Sequence, residues 1–243
     1  MSPITTQQIS AVLLDVEGTT TPIGFVYKTM FPYALSHAGE FLQQHASDAD
    51  VCADLQALRK EHTADVHTGA NPPPFNDEPD SAVAYMEWLT ARDRKSTPFK
   101  ALQGKIWQAG FTSGQLRADV FEDAPRSLAR WRRHGRKICI FSSGSVLAQK
   151  LLFAHTVSGD LSEHISGYFD TTVGNKTDAN SYQKIADALK KNPSEILFIS
   201  DVTAELDAAK GAGMETLLCV RPGNRPQEPS NHRVIHSFDE VFP

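Results

Sequence analysis

Three apolar runs in this chain end abruptly in side chains that can do chemistry. Ala11-Val-Leu-Leu14 runs into Asp15, with Glu17 two positions on and then Gly18-Thr-Thr-Thr21. Ile138-Cys-Ile-Phe141 gives way to Ser142-Ser143-Gly144-Ser145, and Ile196-Leu-Phe-Ile199 to Ser200-Asp201. Residues i and i+2 of an extended segment point to one side, so Asp15 and Glu17 can face one small volume. Their mutual repulsion is most simply offset by a divalent cation held by oxygen ligands. Hydroxyls and free backbone N–H groups at a strand-to-helix junction favour an anion, and the serine run offers both. A further cation, Lys176, precedes a helix. Together the set meets the needs of phosphoryl transfer to a carboxylate. A nucleophilic acid divides one hard displacement into two, a second carboxyl gives and then takes a proton, and cations neutralise the transferring group. Each member alone has a plainer reading: solvated acids in a turn, serine and aspartate caps, a surface lysine.

The elements that must position these residues follow from hydrophobic spacing. Short continuous apolar runs read as strands buried on both faces of a parallel sheet. Between the first run and the second, helical stripes dominate: Leu35, Ala38, Leu42; Val51, Leu55, Leu58; Val83, Met86, Leu89; Phe99, Leu102, Ile106. A Pro-rich loop over 71–79 splits them, and Pro32 marks the first turn of a helix. From Asp123 onward helices and strands alternate. Ala124, Leu128 and Trp131 form a stripe that stops at Gly135, with the basic cluster Arg130–Lys137 as a solvated helix end. The spacing predicts a helix over Val146–His155 with Leu147, Leu151 and Leu152 inward, and another with Tyr182, Ile185, Ala186 and Leu189 inward. Strands are expected at Tyr168–Val173 and Thr216–Val220, a helix from Thr203, and a short closing element around Val234-Ile235 and Phe238–Val241. This order predicts an α/β fold: a doubly wound parallel sheet from residues 1–23 and 123–243, with a helical cap inserted over 24–122. In such sheets ligands sit beyond the carboxyl ends of the strands, so all the reactive side chains gather on one edge.

Composition sets bounds on function. The 243 residues are 40% hydrophobic and 22% charged, as in a soluble globular protein large enough to bury a substantial core. A net charge of −5 gives no electrostatic case for a nucleic-acid or anionic-membrane partner. No segment is long and apolar enough to span a bilayer, and the N-terminus lacks signal-peptide features, so a cytoplasmic location is expected. Cys52, Cys139 and Cys219 are widely spaced, without a CxxC, which indicates neither a disulfide framework nor a zinc site. There is no Walker A pattern and no GxGxxG.

The sequence resembles the haloacid-dehalogenase-like phosphatases, whose motifs are an Asp-x-Asp-type pair, a Ser or Thr, a Lys and a late acid. Within them it is similar to the enolase-phosphatase branch of methionine salvage. The likeness is carried by Leu14-Asp-Val-Glu-Gly-Thr-Thr-Thr-Pro-Ile23, Phe31-Pro-Tyr33, Leu102-Gln-Gly104 with Trp107, and Phe141-Ser-Ser-Gly-Ser-Val146. It continues in Gly174-Asn-Lys176, Ser200-Asp-Val-Thr203 and Val220-Arg-Pro-Gly-Asn224. Glu17, where most relatives carry Asp, is characteristic of that branch. The resemblance implies Asp15 as nucleophile and magnesium ligand, and Glu17 as general acid/base at the metal through its carboxylate or carbonyl. It implies Asp201 as a further magnesium ligand, with one magnesium ion per subunit. Ser142, Ser143 and Lys176 would hold the substrate phosphate, and Glu205 would act behind Asp201. The implied substrate is the small phosphate ester 2,3-diketo-5-methylthiopentyl-1-phosphate, enolised and then dephosphorylated to an acireductone; nothing in the chain demands more than a monomer. Two alternatives stay open: the same chemistry on another small phosphate ester, and a phosphorylatable receiver-type module. Receivers are about half this length and lack the helical insert.

Overall fold

The computed structural model describes residues 9–224 and 230–242. Its sheet consists of β1 (Ala11–Leu14), β2 (Lys137–Phe141), β3 (Gly167–Phe169), β4 (Ile196–Ser200), β5 (Glu215–Cys219) and β6 (Arg233–Ile235). Every pairing is parallel, in the order β3-β2-β1-β4-β5-β6. β1 is therefore flanked on both sides, with Leu13 level with Cys139 of β2 and Phe198 of β4. Strands so placed have no solvated face, which is why they read as unbroken apolar runs. Leu13, Cys139 and Phe198 turn to one face, where they join Tyr182, Ile185, Leu206 and Ala209 in one buried cluster. The alternate residues Val12, Leu14, Ile138 and Ile140 are equally buried on the other face.

The chain divides into two compact units, Met1–Val26 with Arg117–Pro243, and Tyr27–Leu116. In the first, β1 leads to a single helical turn, α1 (Ile23–Phe25), and a π-helical stretch at Val26–Met30 that runs on into the second. The second unit holds α2 (Phe31–Gln44), α3 (Ala49–His67), α4 (Pro79–Thr90) and α5 (Thr97–Ser113). Pro32 stands in the first turn of α2, as its fixed φ and missing N–H favour. α2 packs on α4 and α5, and α3 on α5. Gly110 of α5 permits this, because a Cβ there would meet the Tyr33 ring at 2.5 Å. Ser96 caps α5 by accepting from Phe99 N, and Gly114 ends it at φ 76°. Asp65 of α3 is buried, and accepts from Tyr85 Oη of α4 at 2.6 Å and from Arg94 Nη1 at 2.5 Å. Beside it Glu61 accepts from Ser96 Oγ at 2.6 Å.

The rest of the first unit alternates α6 (Asp123–Arg133), α7 (Val146–Ala154), α8 (Ala179–Leu189) and α9 (Thr203–Gly211) with the strands. Two local readings change in three dimensions. Leu147 is 42% exposed, because it sits in the first turn of α7; the inward face is Ala148, Leu151 and Leu152. The basic cluster is engaged by protein groups rather than by solvent alone: Arg130 donates to Phe238 O and Val241 O of the chain's closing segment, Trp131 Nε1 also to Val241 O, and Arg132 to Ser166 Oγ just before β3. Cys139 and Cys219 are core residues, and burial pushes their thiols up to about 11 and about 12. Among the described residues no helix is long and apolar enough to cross a membrane.

Candidate active site

The chain leaves β1, adds β2 and β3 on one side, and then returns to add β4 on the other. Ligands of open α/β sheets bind at such a reversal, beyond the strands' carboxyl ends. Asp15 follows β1 there and is 4% exposed, its N–H donating to Ile199 O of β4 at 3.0 Å. The chain turns immediately afterwards. Thr20 Oγ1 lies within hydrogen-bonding reach of Asp15 O and Val16 O, Gly18 N donates to Thr21 O at 2.8 Å, and Glu17 and Thr21 bridge. Gly18 takes φ 73°, which glycine adopts without the steric cost of a Cβ, and a Cβ there would collide with the Asp201 carboxylate.

Lys176 lies buried between two carboxylates, its Nζ 2.6 Å from Asp15 Oδ1 and 2.7 Å from Glu205 Oε2. It also stands 5.8 Å over the Phe141 ring at the end of β2. Its backbone is fixed by Tyr182 Oη, which donates to Lys176 O at 2.7 Å, and by Ser181 Oγ, which donates to Asn175 O. Burial alone would discharge this lysine. The charges of Asp15 and Glu205, with their hydrogen bonds, instead hold it charged and raise its pKa well above the usual lysine range. Glu205 occupies the first turn of α9, where the helix dipole favours an acid. Burial and then the charge of Asp15 nonetheless raise Glu205 to about 7, against the partial relief given by Lys176 and Ser200. Asp201, 8% exposed after β4, is pushed up to about 7 by burial first and by Asp15 second, with Glu17 adding to the effect. Ser200 joins the group: its hydroxyl has Glu205 Oε2 at 3.1 Å and Asp15 Oδ2 at 3.4 Å as acceptors, and accepts from Val202 N.

The structure thus places Asp15, Lys176 and Asp201 together, with half-buried Glu17 close enough for its charge to act on Asp201. Ser142 and Ser143 stand one strand over, past the end of β2. Ser142 is buried, and its Oγ accepts from Gly144 N at 3.1 Å, whereas Ser143 is exposed. Ser145 is the serine that caps α7, accepting from Ala148 N, so capping does not account for the other two. Gln149 steadies this loop by donating to Gly144 O and Phe169 O. The sequence gives Ser200 no role of its own, and its one signal there is a hydroxyl between a strand end and an acid.

Among the described residues no three His, Cys, Asp or Glu side chains converge as a metal cage. The donors that do meet are hard oxygens. Asp15 and Asp201 are two carboxylates close enough for the charge of Asp15 to raise the pKa of Asp201. Magnesium suits that set, since it takes one or two carboxylates and completes its shell with water and substrate phosphate.

Comparison with known proteins supplies the context. A model of the haloacid dehalogenase-like hydrolases matches residues 9–213. The chain is 48% identical to the enolase-phosphatase E1 of Synechococcus elongatus, covering 96% of this chain and 98% of that one. It is 43% identical to the enolase-phosphatase E1 of Pseudomonas syringae, over 97% and 98% of the two chains. The crystal structure of the Unknown transcript 4 protein of Saccharomyces cerevisiae superposes with a TM-score of 0.79 at 36% identity, covering 96% of this chain and all of that one.

Proposed function

This chain belongs to the haloacid dehalogenase-like hydrolases, in their enolase-phosphatase branch, and from that premise we propose how its site works. The activity is that of an enolase-phosphatase in methionine salvage. In our reading it takes 2,3-diketo-5-methylthiopentyl-1-phosphate to the enol phosphate and then to acireductone and phosphate. The observation that carries the assignment of roles is the buried ammonium of Lys176 between Asp15 and Glu205 at the end of β1.

Asp15 attacks phosphorus, the bond from phosphorus to the ester oxygen breaks, and Glu17 gives that oxygen its proton. Water then attacks the phosphorus of the aspartyl-phosphate, Glu17 takes the water's proton, and phosphate leaves with Asp15 restored. Two of the three Nζ donors of Lys176 are engaged by Asp15 and Glu205, which leaves one for a phosphoryl oxygen. Ser142 and Ser143 are assigned to the remaining phosphoryl oxygens. Asp15, Asp201 and the Glu17 carboxylate or carbonyl are the residues assigned to hold one magnesium ion. When bound, that ion supplies Lewis-acid charge to phosphoryl and diketone oxygens, an effect of several kcal/mol.

We assign residues 24–122 as the cap domain, and 1–23 with 123–243 as the catalytic core. We further read the enzyme as a cytoplasmic monomer, and its net charge of −5 gives no electrostatic case for a nucleic-acid or anionic-membrane partner. The decisive assay gives the purified protein the diketo phosphate with magnesium and follows enol absorbance and phosphate together. Both signals are expected, in that order. Phosphate release from generic esters with no enol signal would assign the site to another phosphomonoester.

A further inference from the structure

The segment Val220-Arg-Pro-Gly-Asn224, after β5, has no part in the chemistry just described, yet two of its side chains reach the turn that carries Glu17. Four successive carbonyls of that turn each have a donor. Asn224 Nδ2 donates to Gly18 O at 3.0 Å, Arg221 Nε to Thr19 O at 3.3 Å, Phe121 N to Thr20 O at 3.0 Å, and Gly18 N to Thr21 O at 2.8 Å. The turn has left the sheet, so these donors replace the ladder.

The two side chains are themselves immobilised. Arg221 is 6% exposed and lies between the rings of Phe121 and Phe238, at 4.5 and 4.6 Å. Its Nη1 is 2.8 Å from Asp123 Oδ2 and donates to His236 O at 3.0 Å. Asp123 in turn accepts from Ser237 Oγ. The Asn224 amide faces two carbonyls, Gly18 O and Cys219 O, which fixes its orientation and leaves Oδ1 on the side of Gly18 that also faces Asp201. A guanidinium held on both faces and an amide held between two acceptors have little freedom left to adjust.

We infer that Arg221 and Asn224 are positioning residues: they clamp the Gly18 and Thr19 peptide planes and thereby aim Glu17, the residue directly before them. The inference rests on the proposed role of Glu17 as the acid that protonates the leaving oxygen. Displacement of such a group by about 1 Å costs on the order of 10²-fold in rate. The cost falls on esters whose leaving group needs a proton, and spares those whose leaving group departs as a stable anion.

The test uses the full chain with magnesium and the variants Asn224→Ala and Arg221→Lys, the second retaining a cation opposite Asp123. Single-turnover phosphoryl transfer is measured with phenyl phosphate, whose leaving oxygen is strongly basic, and with 4-nitrophenyl phosphate, alongside steady-state turnover of the diketo phosphate. For Asn224→Ala the expected loss is about 10²-fold in the single-turnover rate on phenyl phosphate with KM within about 3-fold, and less than about 5-fold in that rate on the nitrophenyl ester. Arg221→Lys shows the same selectivity at about 10-fold. Equal losses on both esters, or none, overturn the inference. A wild-type protein that yields neither enol nor phosphate from the diketo phosphate refutes the functional reading itself, which is a separate and recognisable result.

Discussion

Asp65 and Asp201 are both buried carboxyls, 5% and 8% exposed, and both belong to networks of ions, but their surroundings shift them in opposite directions. Around Asp65, in the helical unit, burial works to raise the pKa, and Arg94 and Tyr85 more than offset it, so the acid is held below the usual carboxylate range. Around Asp201, in the sheet unit, burial and the neighbouring charge of Asp15 prevail and hold the acid near 7. The difference lies in the ratio of partners. Asp65 and Glu61 share Arg94 and have Tyr85 and Ser96 as donors. Among the described residues Asp201 and Glu205 have the charge of Lys176 to share with Asp15, and Glu205 is likewise raised. A network that only joins helices is completed by its own side chains. The site's negative charge is left in excess, which a cation arriving with the substrate can satisfy.

The sharpest way to break this contrast is Asp15→Asn. Phosphate release should fall roughly 10⁴-fold or more, since an amide forms no acyl phosphate. The melting temperature should hold or rise, because a like charge has been removed; a clear fall would mean that the site is as balanced as the helical network. Gly18→Ala comes next: the positive φ and the collision with Asp201 predict about a 10²-fold loss of kcat in the same assay. Asp65→Asn tests the other side. Urea unfolding should show a loss of about 2 kcal/mol, as Arg94 and Tyr85 lose their charged acceptor.

The smallest effect is in pH. The raised carboxyl of Asp201 keeps a proton in the folded state, between 3.8 and about 7, that the unfolded chain releases. That contribution to stability is present at low pH and is lost as pH rises through the window. The lowered Asp65 contributes in the opposite sense, above its unfolded pKa and lost on acidification. Asp201→Asn should therefore flatten the decline of stability toward pH 7 in cation-free protein, and Asp65→Asn should flatten the acid limb. Chemical denaturation across pH reads both slopes.

Much of the sheet was legible because parallel strands buried on both faces leave an unbroken apolar trace. Ala11–Leu14, Ile138–Phe141 and Ile196–Ile199 all lie in central strands, and the short closing element at Val234-Ile235 is the edge strand β6. The reactive side chains were legible for a related reason, since each breaks such a trace at its end. The Asp65 network was not legible. Glu61 of α3 lies 33 residues before Arg94 and 35 before Ser96, both of which stand between α4 and α5, and no periodicity links them. The pairing of Arg221 with Asp123 was hidden similarly: both are residue types mostly found at surfaces, and only the fold shows them buried together. The misplacement of Leu147 has another cause, because helical spacing marks a face but not where along the helix that face loses its cover.

The place of β1 in the sheet has a consequence for the order in which the protein is made. Its two neighbours are β2, beginning at Lys137, and β4, beginning at Ile196. A ribosome working from the N-terminus therefore emits the strand that ends in Asp15 first and then the whole of 27–116, before either neighbour exists. The helical unit is contiguous and can assemble as soon as it emerges. β1 must instead wait, apolar and with both edges open, for partners supplied far downstream. Slowing translation within 27–136 should lengthen that wait and lower the soluble yield, whereas a pause after Ser200 should not.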